Sequence, residues 1–291
     1  MRSASYLTVY FPDMNVTQKT HPVHGRCLFL DNGVIEVGVP LDFGLRVCHF
    51  SFVGEKNVFF EQPNDMTALA TEQGWRVRGG HRLWLAPEGP DVYAPDNDPI
   101  SFTILPDGVE ITQKEDPWLH VIKQMRLVLC GNSVRITHRV TNTAKVARCC
   151  SLWSISVMDG GGVEYIPLRV REGGFDPLHR FTLWDHSCLG DERATYKKDE
   201  IVLTHKPIDA RYKLGVGHPA GDVRYENGNT VFIKHYELQE GREYPDGGMS
   251  YETFLCQYMT EVESLSPLYT LAEGESAEHD EVWTLQKKES I

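Results

Sequence analysis

The stretch that decides the fold is 119–141, which reads LHVIKQMRLVLCGNSVRITHRVT. A turn at 130–133 separates two long runs rich in β-branched residues. In the second run Val134, Ile136, His138 and Val140 alternate with Arg135, Thr137, Arg139 and Thr141. Alternation of this kind places one set of side chains in a core and the other toward water. The stretch therefore predicts two antiparallel strands, and 108–113 predicts a third strand beside them.

The same pattern continues through the rest of the chain. Turn residues recur about every eight to twelve positions, as in sandwiches and barrels, and helical periodicity is confined to a possible short helix at Thr67–Gln73. Asn227-Gly228 lies between two β-rich runs, which predicts a hairpin with positive φ at both central residues. Because no long Pro, Ser or Gly linker divides the chain, we expect one all-β domain over 1–291 with frayed ends, including the tail Lys287–Ile291.

Charge and composition narrow the possible partners. The 41 acidic residues exceed the 29 basic ones, which gives a net charge of −12. Phosphates would be repelled, so no nucleic acid partner is expected. No apolar run approaches the roughly 18 residues that a membrane span needs, and Met1–Pro12 does not resemble a secretory signal. These observations predict no membrane partner and a cytoplasmic location.

The cysteines and the known catalytic motifs point away from metal and cofactor chemistry. Seven cysteines without a CxxC pair are expected to be reduced thiols. The sequence contains no HExxH, P-loop or GxSxG motif, and His21 and His24 make only a weak metal-ligand pattern. We therefore predict no metal and no cofactor.

The first candidate site segment is 74–88, which reads GWRVRGGHRLWLAPE. It gathers two tryptophans, three arginines and a histidine around a Gly-Gly pair, and its candidate functional residues are Arg78, His81, Arg82 and Trp84. A sugar ring needs this combination, because its C–H face stacks on an indole while its hydroxyls take directed hydrogen bonds. The alternative is that both tryptophans are core residues and an arginine caps a loop.

The second candidate segment is 243–252, which reads EYPDGGMSYE. The Pro-Asp-Gly-Gly sequence is explained by a turn alone. A turn does not explain why Tyr244, Asp246 and Glu252 lie so close together, so we regard them as candidate binding residues. His218 and Lys234 precede this segment and are further candidates.

The third candidate segment is the strand 254–265. Residues two apart on a strand share a face, so Glu261 and Glu263 point the same way. Either carboxyl is a candidate general acid or base if burial raises its pKa. The alternative is a solvent-exposed strand end on which both glutamates are hydrated.

Several motifs, in this order, resemble the galactose mutarotase-like (aldose 1-epimerase-like) superfamily, and a bacterial branch of it in particular. They are Asp42-Phe43-Gly44-Leu45-Arg46-Val47, Gly79-Gly80-His81-Arg82-Leu83-Trp84, Val140-Thr141-Asn142-Thr143 with Leu152-Trp153-Ser154, Tyr244-Pro245-Asp246-Gly247-Gly248, and Glu261 to Leu268 with Gly274-Glu275-Ser276 and Glu281-Val282-Trp283. The resemblance spans residues 25–285. It implies a β-supersandwich of two large antiparallel sheets with a sugar cleft on a concave face.

The resemblance also implies a reaction. In that superfamily a late glutamate takes the proton of the anomeric hydroxyl and a histidine protonates the ring oxygen, so that the sugar opens and recloses. Glu263 matches the glutamate, and Arg78, His81 and Arg82 match a binding region. The strand expected to carry the histidine reads Ser151-Leu152-Trp153-Ser154-Ile155-Ser156. Trp153 suits stacking on a sugar, and the acid would have to be His81, His218 or Tyr244.

Three functions follow from these observations. The first is an aldose 1-epimerase-like isomerase with a relocated acid, in which Glu263 and His81 are catalytic. The second is a carbohydrate-binding protein without turnover. The third, a polysaccharide lyase or glycoside hydrolase accessory domain, is disfavoured because the net charge repels acidic glycans. All three predict a sugar partner, a monomer or homodimer, and one hollow where Glu263 meets Arg78 and His81.

Overall fold

The computed structural model describes residues 9–11 and 14–288, and 52% of the chain is strand and 3% helix. The strands of the first half are β1 Val9–Phe11, β2 Met14–His21, β3 Gly25–Asp31, β4 Ile35–Pro40, β5 Arg46–Val47, β6 His49–Phe52, β7 Gly80–Ala86, β8 Ser101–Leu105, β9 Gly108–Thr112, β10 Val121–Cys130, β11 Ser133–Asn142 and β12 Arg148–Asp159. Those of the second half are β13 Val163–Pro167, β14 Arg180–Leu183, β15 Ala194–Tyr196, β16 Glu200–Thr204, β17 Tyr212–Gly217, β18 Val223–Asn227, β19 Thr230–Tyr236, β20 Tyr251–Leu255, β21 Met259–Leu265, β22 Tyr269–Leu271 and β23 Ser276–Lys287. Helical structure is limited to a 3₁₀ turn at Pro90–Tyr93 and a four-residue helical turn, α1, at Pro245–Gly248.

These strands form three antiparallel sheets. A ten-stranded sheet has the order β15-β16-β13-β18-β19-β23-β11-β10-β9-β8. An eight-stranded sheet has the order β14-β17-β20-β21-β12-β7-β5, with β22 paired to β12, and a five-stranded sheet has the order β1-β2-β3-β4-β6. The predicted all-β sandwich of large antiparallel sheets is confirmed.

The stretch that predicted the fold forms the seventh and eighth strands of the ten-stranded sheet. Strands β10 and β11 pair over their full length, from Val121 opposite Asn142 to Cys130 opposite Ser133, and β9 pairs with β10 as expected. Val134, Ile136, His138 and Val140 are all fully buried, which the alternation required.

Three local predictions need correction. The loop between β18 and β19 is Gly228-Asn229, one residue later than expected, and only its glycine has a positive φ, of 59°. Residues 67–73 form turns and an isolated bridge instead of a helix. Lys287 ends strand β23, while 289–291 lie outside the described residues, as do residues 1–8.

The eight-stranded sheet packs one face against the ten-stranded sheet. Lys234 of β19 donates to the carbonyl oxygen of Ser154 in β12, at 3.2 Å, and His81 of β7 lies 2.7 Å from His138 of β11. Loops that include residues 69–77 and 184–186 lie over the opposite face. Among the described residues, no helix has the length and apolar character that crossing a bilayer requires.

Candidate functional site

A cleft of about 290 Å³ opens on the loop-covered face of the eight-stranded sheet. Its lining includes six tryptophan, tyrosine or phenylalanine rings and charged groups of both signs. The lining residues are Leu69, Ala70, Thr71, Trp75, Val77, Arg82, Trp84, Glu88, Tyr93, Trp153, Trp184, His186, Arg211, Lys213, Phe254, Met259 and Glu261. This volume lies near the lower end of the range for small-molecule sites, roughly 300–1,000 Å³.

Strand register brings the polar groups of the cleft together. Trp84 pairs with Trp153 across β7 and β12, and Ile155 of β12 lies opposite both Arg82 and Glu263. Because directly opposed residues on neighbouring strands point to the same face, these side chains all lie on the cleft face. Glu252 belongs with them, since it is the cross-strand partner of Glu263.

The Gly79-Gly80 pair sets which side chains of β7 face the cleft. Both glycines have positive φ, of 82° and 70°. A Cβ atom would lie 1.7 Å from the Phe60 carbonyl oxygen at Gly79, and 2.2 Å from that of Val47 at Gly80. Only glycine permits this close backbone approach. The chain then enters β7 with Arg82 and Trp84 on the cleft face.

Arg46 holds the loop that forms one wall of the cleft. Its guanidinium, almost fully buried, donates to the carbonyl oxygens of Val77 at 2.6 Å and Arg76 at 3.2 Å. It also forms an ion pair with Asp96 at 2.6 Å. One arginine in the short strand β5 thus fixes the backbone that directly follows Trp75.

Aromatic rings pack together along this wall. The centroids of Trp75 and Trp84 are 5.1 Å apart, and Tyr93 lies edge-on to both, at 5.1 and 4.9 Å. Trp84 in turn meets Trp153 at 5.6 Å with a tilt of 67°. Tilted and edge-to-face contacts at these distances are favourable, so the rings form a firm apolar surface.

Two cations in the cleft are stacked on rings and paired with carboxylates. Arg82 lies 4.3 Å from the Trp84 ring centroid, and its Nη1 is 2.9 Å from Oε1 of Glu261. Lys213 lies between the rings of Trp153 and Trp184, 4.3 and 4.4 Å from their centroids. Cation–π contacts strengthen when both partners are shielded from water, as here.

Lys213 is the centre of a group of carboxyls. Its Nζ is 3.0 Å from Oε2 of Glu252 and 3.4 Å from Oε2 of Glu88. Burial opposes its charge, but Glu263, Glu252 and Glu88 outweigh that effect and raise the pKa of Lys213. The ammonium group therefore stays charged and acts as the counter-ion of the group.

Glu252 and Glu263 lie beneath this ammonium. Both side chains are buried; Oε1 of Glu263 has no hydrogen-bond partner among the described residues, and the carboxyl of Glu252 lies against that of Asp246. Burial raises the pKa of Glu252 to about 7, with the Lys213 charge opposing and Asp246 adding to the rise. Burial also raises the pKa of Glu263 well above its ordinary value. Neighbouring acids with raised pKa values are typical of functional sites.

Two predicted site residues are joined by a direct hydrogen bond. The indole N–H of Trp153 donates to Oε2 of Glu263 at 2.6 Å. Glu263 is fully buried and lies below the cleft wall, whereas Glu261, one pleat away, lines the cleft itself.

His81 does not face the cleft, contrary to the expectation that it meets Glu263 there. It is fully buried between the sheets, where Nδ1 is 2.9 Å from the Ser156 hydroxyl and Nε2 is 2.7 Å from Nε2 of His138. Burial lowers the pKa of His81 well below its ordinary value. The physical reason is the strand period, because Arg82 and Trp84 take the cleft face and His81 must take the other.

Lys234 is also remote from the cleft. It lies in the core with its Nζ 2.9 Å from Oε1 of Glu281. Arg78 does not line the cleft either; its guanidinium lies 4.1 Å from the Phe43 ring centroid and donates to Asn97 at 2.5 Å. Lys234 stabilises the core of the sandwich, and Arg78 stabilises the loop that precedes β7. The expectation of a hollow shared by Arg78, His81 and Glu263 is wrong.

The second candidate segment contributes in part. Asp246 has a φ of 54° in the turn α1 and lies against Glu252, where burial raises its pKa. Tyr244 packs edge-on against His218, with centroids 5.5 Å apart, and its hydroxyl accepts from the backbone N–H of Gln239. Neither Tyr244 nor His218 lines the cleft.

Sequence reasoning missed Lys213 and Trp184. Strand β17 reads YKLGVG, and Lys213 is its only charged residue. A lone lysine in an apolar strand signals a buried, paired charge, since lysine is rarely buried without a partner. Trp184 follows strand β14, and nothing in its local sequence distinguishes it.

Two groups of side chains have the residue types of a metal site. In one, His81, His138 and Glu281 are all buried, but Lys234 already supplies a cation to Glu281. In the other, buried His24 meets half-buried His21 and Glu61. Nδ1 of His21 accepts from the backbone N–H groups of Val23 and His24, so the neutral ring carries its proton on Nε2, toward Glu61. Ion pairs and hydrogen bonds thus account for the first group and for His21 and Glu61 of the second, while Nε2 of His24 has no partner among the described residues.

The stacked antiparallel sheets and the cleft on an outer sheet face define the galactose mutarotase-like sandwich fold. A galactose mutarotase-like protein from Lactobacillus casei superposes with a TM-score of 0.62 at 11% identity, over 89% of this chain and 100% of that one. A proposed mutarotase from Salmonella typhimurium, YeaD, gives 0.57 at 14% identity over 97% of both chains. A galactose mutarotase-like protein from Clostridium acetobutylicum gives 0.55 at 10% identity over 96% and 99%.

At these identities the similarity establishes the fold. No protein-family model and no curated protein sequence matches the chain.

Proposed function

We propose that the cleft binds a single sugar residue and that the protein isomerises this sugar at its anomeric carbon. One observation carries the proposal: Glu261 and Glu263 of one strand lie on the sheet face where Trp84 and Trp153 of neighbouring strands form the cleft wall. Indoles provide a stacking surface for sugar C–H groups, and carboxyls provide proton transfer. The structural neighbours described as mutarotases, which act on small sugars, support the same class of substrate.

Exchange of anomers needs two proton transfers and no cofactor. A base takes the proton of the anomeric hydroxyl, and an acid delivers a proton to the ring oxygen as the bond between C1 and that oxygen breaks. A carboxylate accepts and a carboxylic acid donates, so the buried carboxyls of Glu252 and Glu263, whose pKa values are raised, can supply both. Glu263 is our candidate for the base, and Glu261, Arg82 and Lys213 are candidates for holding the sugar hydroxyls.

A second function, sugar binding without turnover, is favoured by one observation. Glu263 is fully buried beneath Trp153 and Lys213, so the described structure offers the sugar no direct contact with it. A binding protein would use the aromatic wall, Glu261 and Arg82 alone.

The two functions are separated by measuring anomer exchange and binding on the same samples. Magnetisation transfer between the α and β anomeric protons gives the exchange rate for a panel of neutral aldohexoses and aldopentoses. Tryptophan fluorescence gives the affinity, because four tryptophans line the cleft. We expect exchange above the buffer rate with at least one bound sugar, and Glu263→Gln should abolish it. Binding without acceleration would establish the second function. If the protein shows no binding and no acceleration, both functions are contradicted.

A further inference from the structure

Glu252 and Glu263 form a buried cross-strand pair of carboxyl groups. The two residues are directly opposed on β20 and β21, on the cleft face of the sheet. Both side chains are buried; Oε1 of Glu263 has no hydrogen-bond partner among the described residues, and the carboxyl of Glu252 lies against that of Asp246. Buried carboxyl groups without enough donors are costly, so this cluster calls for a ligand or a shared proton.

The charges around the pair favour one proton between the two carboxyls. Lys213 from β17 supplies a cation at 3.0 Å from Glu252, and Asp246 from α1 and Glu88 beyond β7 add negative charge. The ion pair of Arg82 and Glu261 also faces Glu263. Glu252 lies against Asp246 and opposite Glu263, and these buried carboxyls cannot all be ionised at low cost. At least one of them therefore keeps a proton at neutral pH.

We propose that Glu252 is the proton donor to the sugar ring oxygen and Glu263 the acceptor of the anomeric proton. This assignment rests on the proposed isomerase function and fills the role for which the strand 151–156 has no histidine. The sugar reaches the pair by taking the place of the Lys213 ammonium against Glu252, at the floor of the cleft.

The step balances without an external reagent. Glu263 takes the proton of the anomeric hydroxyl, and the electrons of that O–H bond form the C1=O double bond. The bond between C1 and the ring oxygen breaks, and the ring oxygen takes the proton of Glu252. After rotation about C1–C2 the transfers reverse, and both glutamates return to their starting states.

The raised pKa of Glu252 matches the role of a donor. Burial raises the pKa of Glu252 to about 7, where an acid is half protonated at neutral pH and most effective as a donor. Activity should therefore fall as the pH rises through about 7, because the donor form is lost.

A matched control is provided by Glu164. Burial also raises its pKa to about 7, but it lies between the sheets, hydrogen-bonded by Thr253 at 2.7 Å and by Tyr251. Thr253 and Tyr251 flank Glu252 on the same strand and point to the other face. Glu164→Gln thus removes an equally buried acid that has no access to the cleft.

The experiment compares wild type, Glu252→Gln, Glu252→Asp and Glu164→Gln by anomer exchange from about pH 5 to pH 9 and by sugar affinity from tryptophan fluorescence. We expect Glu252→Gln to lower kcat by about 100-fold or more, the usual contribution of a general acid, with affinity within about threefold of wild type. The fall in activity above about pH 7 should disappear in Glu252→Gln, move in Glu252→Asp, and remain in Glu164→Gln. Circular dichroism confirms that each variant is folded.

Each contrary result has one meaning. If wild type binds a sugar but does not accelerate exchange, the proposed function fails and this assignment with it. If wild type is active and Glu252→Gln retains its kcat within about threefold, the donor role is overturned while the isomerase function stands. If Glu252→Gln loses sugar binding together with kcat, Glu252 is a binding residue and the donor role is again overturned.

Discussion

The indole N–H of Trp153 donates a 2.6 Å hydrogen bond to Oε2 of the buried carboxyl of Glu263. This contact links two strands, β12 and β21, and it lies directly below the cleft wall. The ring that offers a stacking surface to a ligand thus also positions the carboxyl beneath it.

Trp153→Phe should keep the ring and remove this hydrogen bond. Glu263 would then have neither oxygen partnered, so we expect unfolding to cost about 1–3 kcal/mol less. Urea denaturation measures the difference. Trp75→Phe is the control, because the indole N–H of Trp75 donates no hydrogen bond to the described residues. Equal losses in the two variants would contradict the prediction.

Lys213→Met should lower both stability and sugar affinity. Removing one partner of a buried ion pair leaves uncompensated charge and costs about 3–5 kcal/mol. Lys123, whose Nζ is 3.3 Å from Oδ2 of Asp116 in an equally buried pair of the other large sheet, is the matched control. Lys123→Met should lose comparable stability in urea denaturation while keeping its sugar affinity. If both variants bind sugar equally well, Lys213 does not belong to the site.

Substitutions of the adjacent residues His81 and Arg82 should have different effects, the first on stability and the second on sugar affinity. His81→Gln disrupts the hydrogen bonds to Ser156 and His138, so we expect a stability loss of about 1–3 kcal/mol with sugar affinity almost unchanged. Arg82→Gln should weaken sugar binding by about tenfold or more, or 1.4 kcal/mol. Tryptophan fluorescence titration of the two variants checks this, and reduced affinity in folded His81→Gln would contradict it.

Glu164 should make the protein less stable as the pH rises from acid to neutral. Burial raises its pKa to about 7 in the folded chain, against about 4.3 in the unfolded chain. Between these values the folded chain holds a proton that the unfolded chain has released, so the free energy of unfolding falls with rising pH and levels off above about 7. The contribution is on the order of 3–4 kcal/mol.

Glu164→Gln should remove that share of the pH dependence. Urea denaturation at about pH 4.5, 6 and 8 gives the slopes, and exposed Glu273→Gln is the control, expected to match wild type. Buried histidines also make stability depend on pH; burial lowers the pKa of His279, for example, to about 4. Their contribution is the same in wild type and variant, so it drops out when the two slopes are compared. Parallel curves for wild type and Glu164→Gln would contradict the prediction.

The sequence alone determined the strands and their faces. The alternation in 134–141 predicted which residues of β11 are buried, and the two-residue spacing of Glu261 and Glu263 predicted that they share a face. Such patterns are local, because every second side chain of a strand points the same way whatever its partners are. The same rule, applied to β7, would have separated His81 from Arg82 and Trp84.

Only the tertiary structure decided which polar residues form the site. Lys213 meets Glu252, Glu263 and Glu88 because β17, β20, β21 and β7 become neighbours in one sheet, and Lys234 and His81 are enclosed because a second sheet covers the other face. Strand order and burial depend on contacts between residues far apart in the chain, and burial in turn sets the pKa values. A charged or titratable residue therefore carried no sign, in its local sequence, of whether it would meet the cleft or the core.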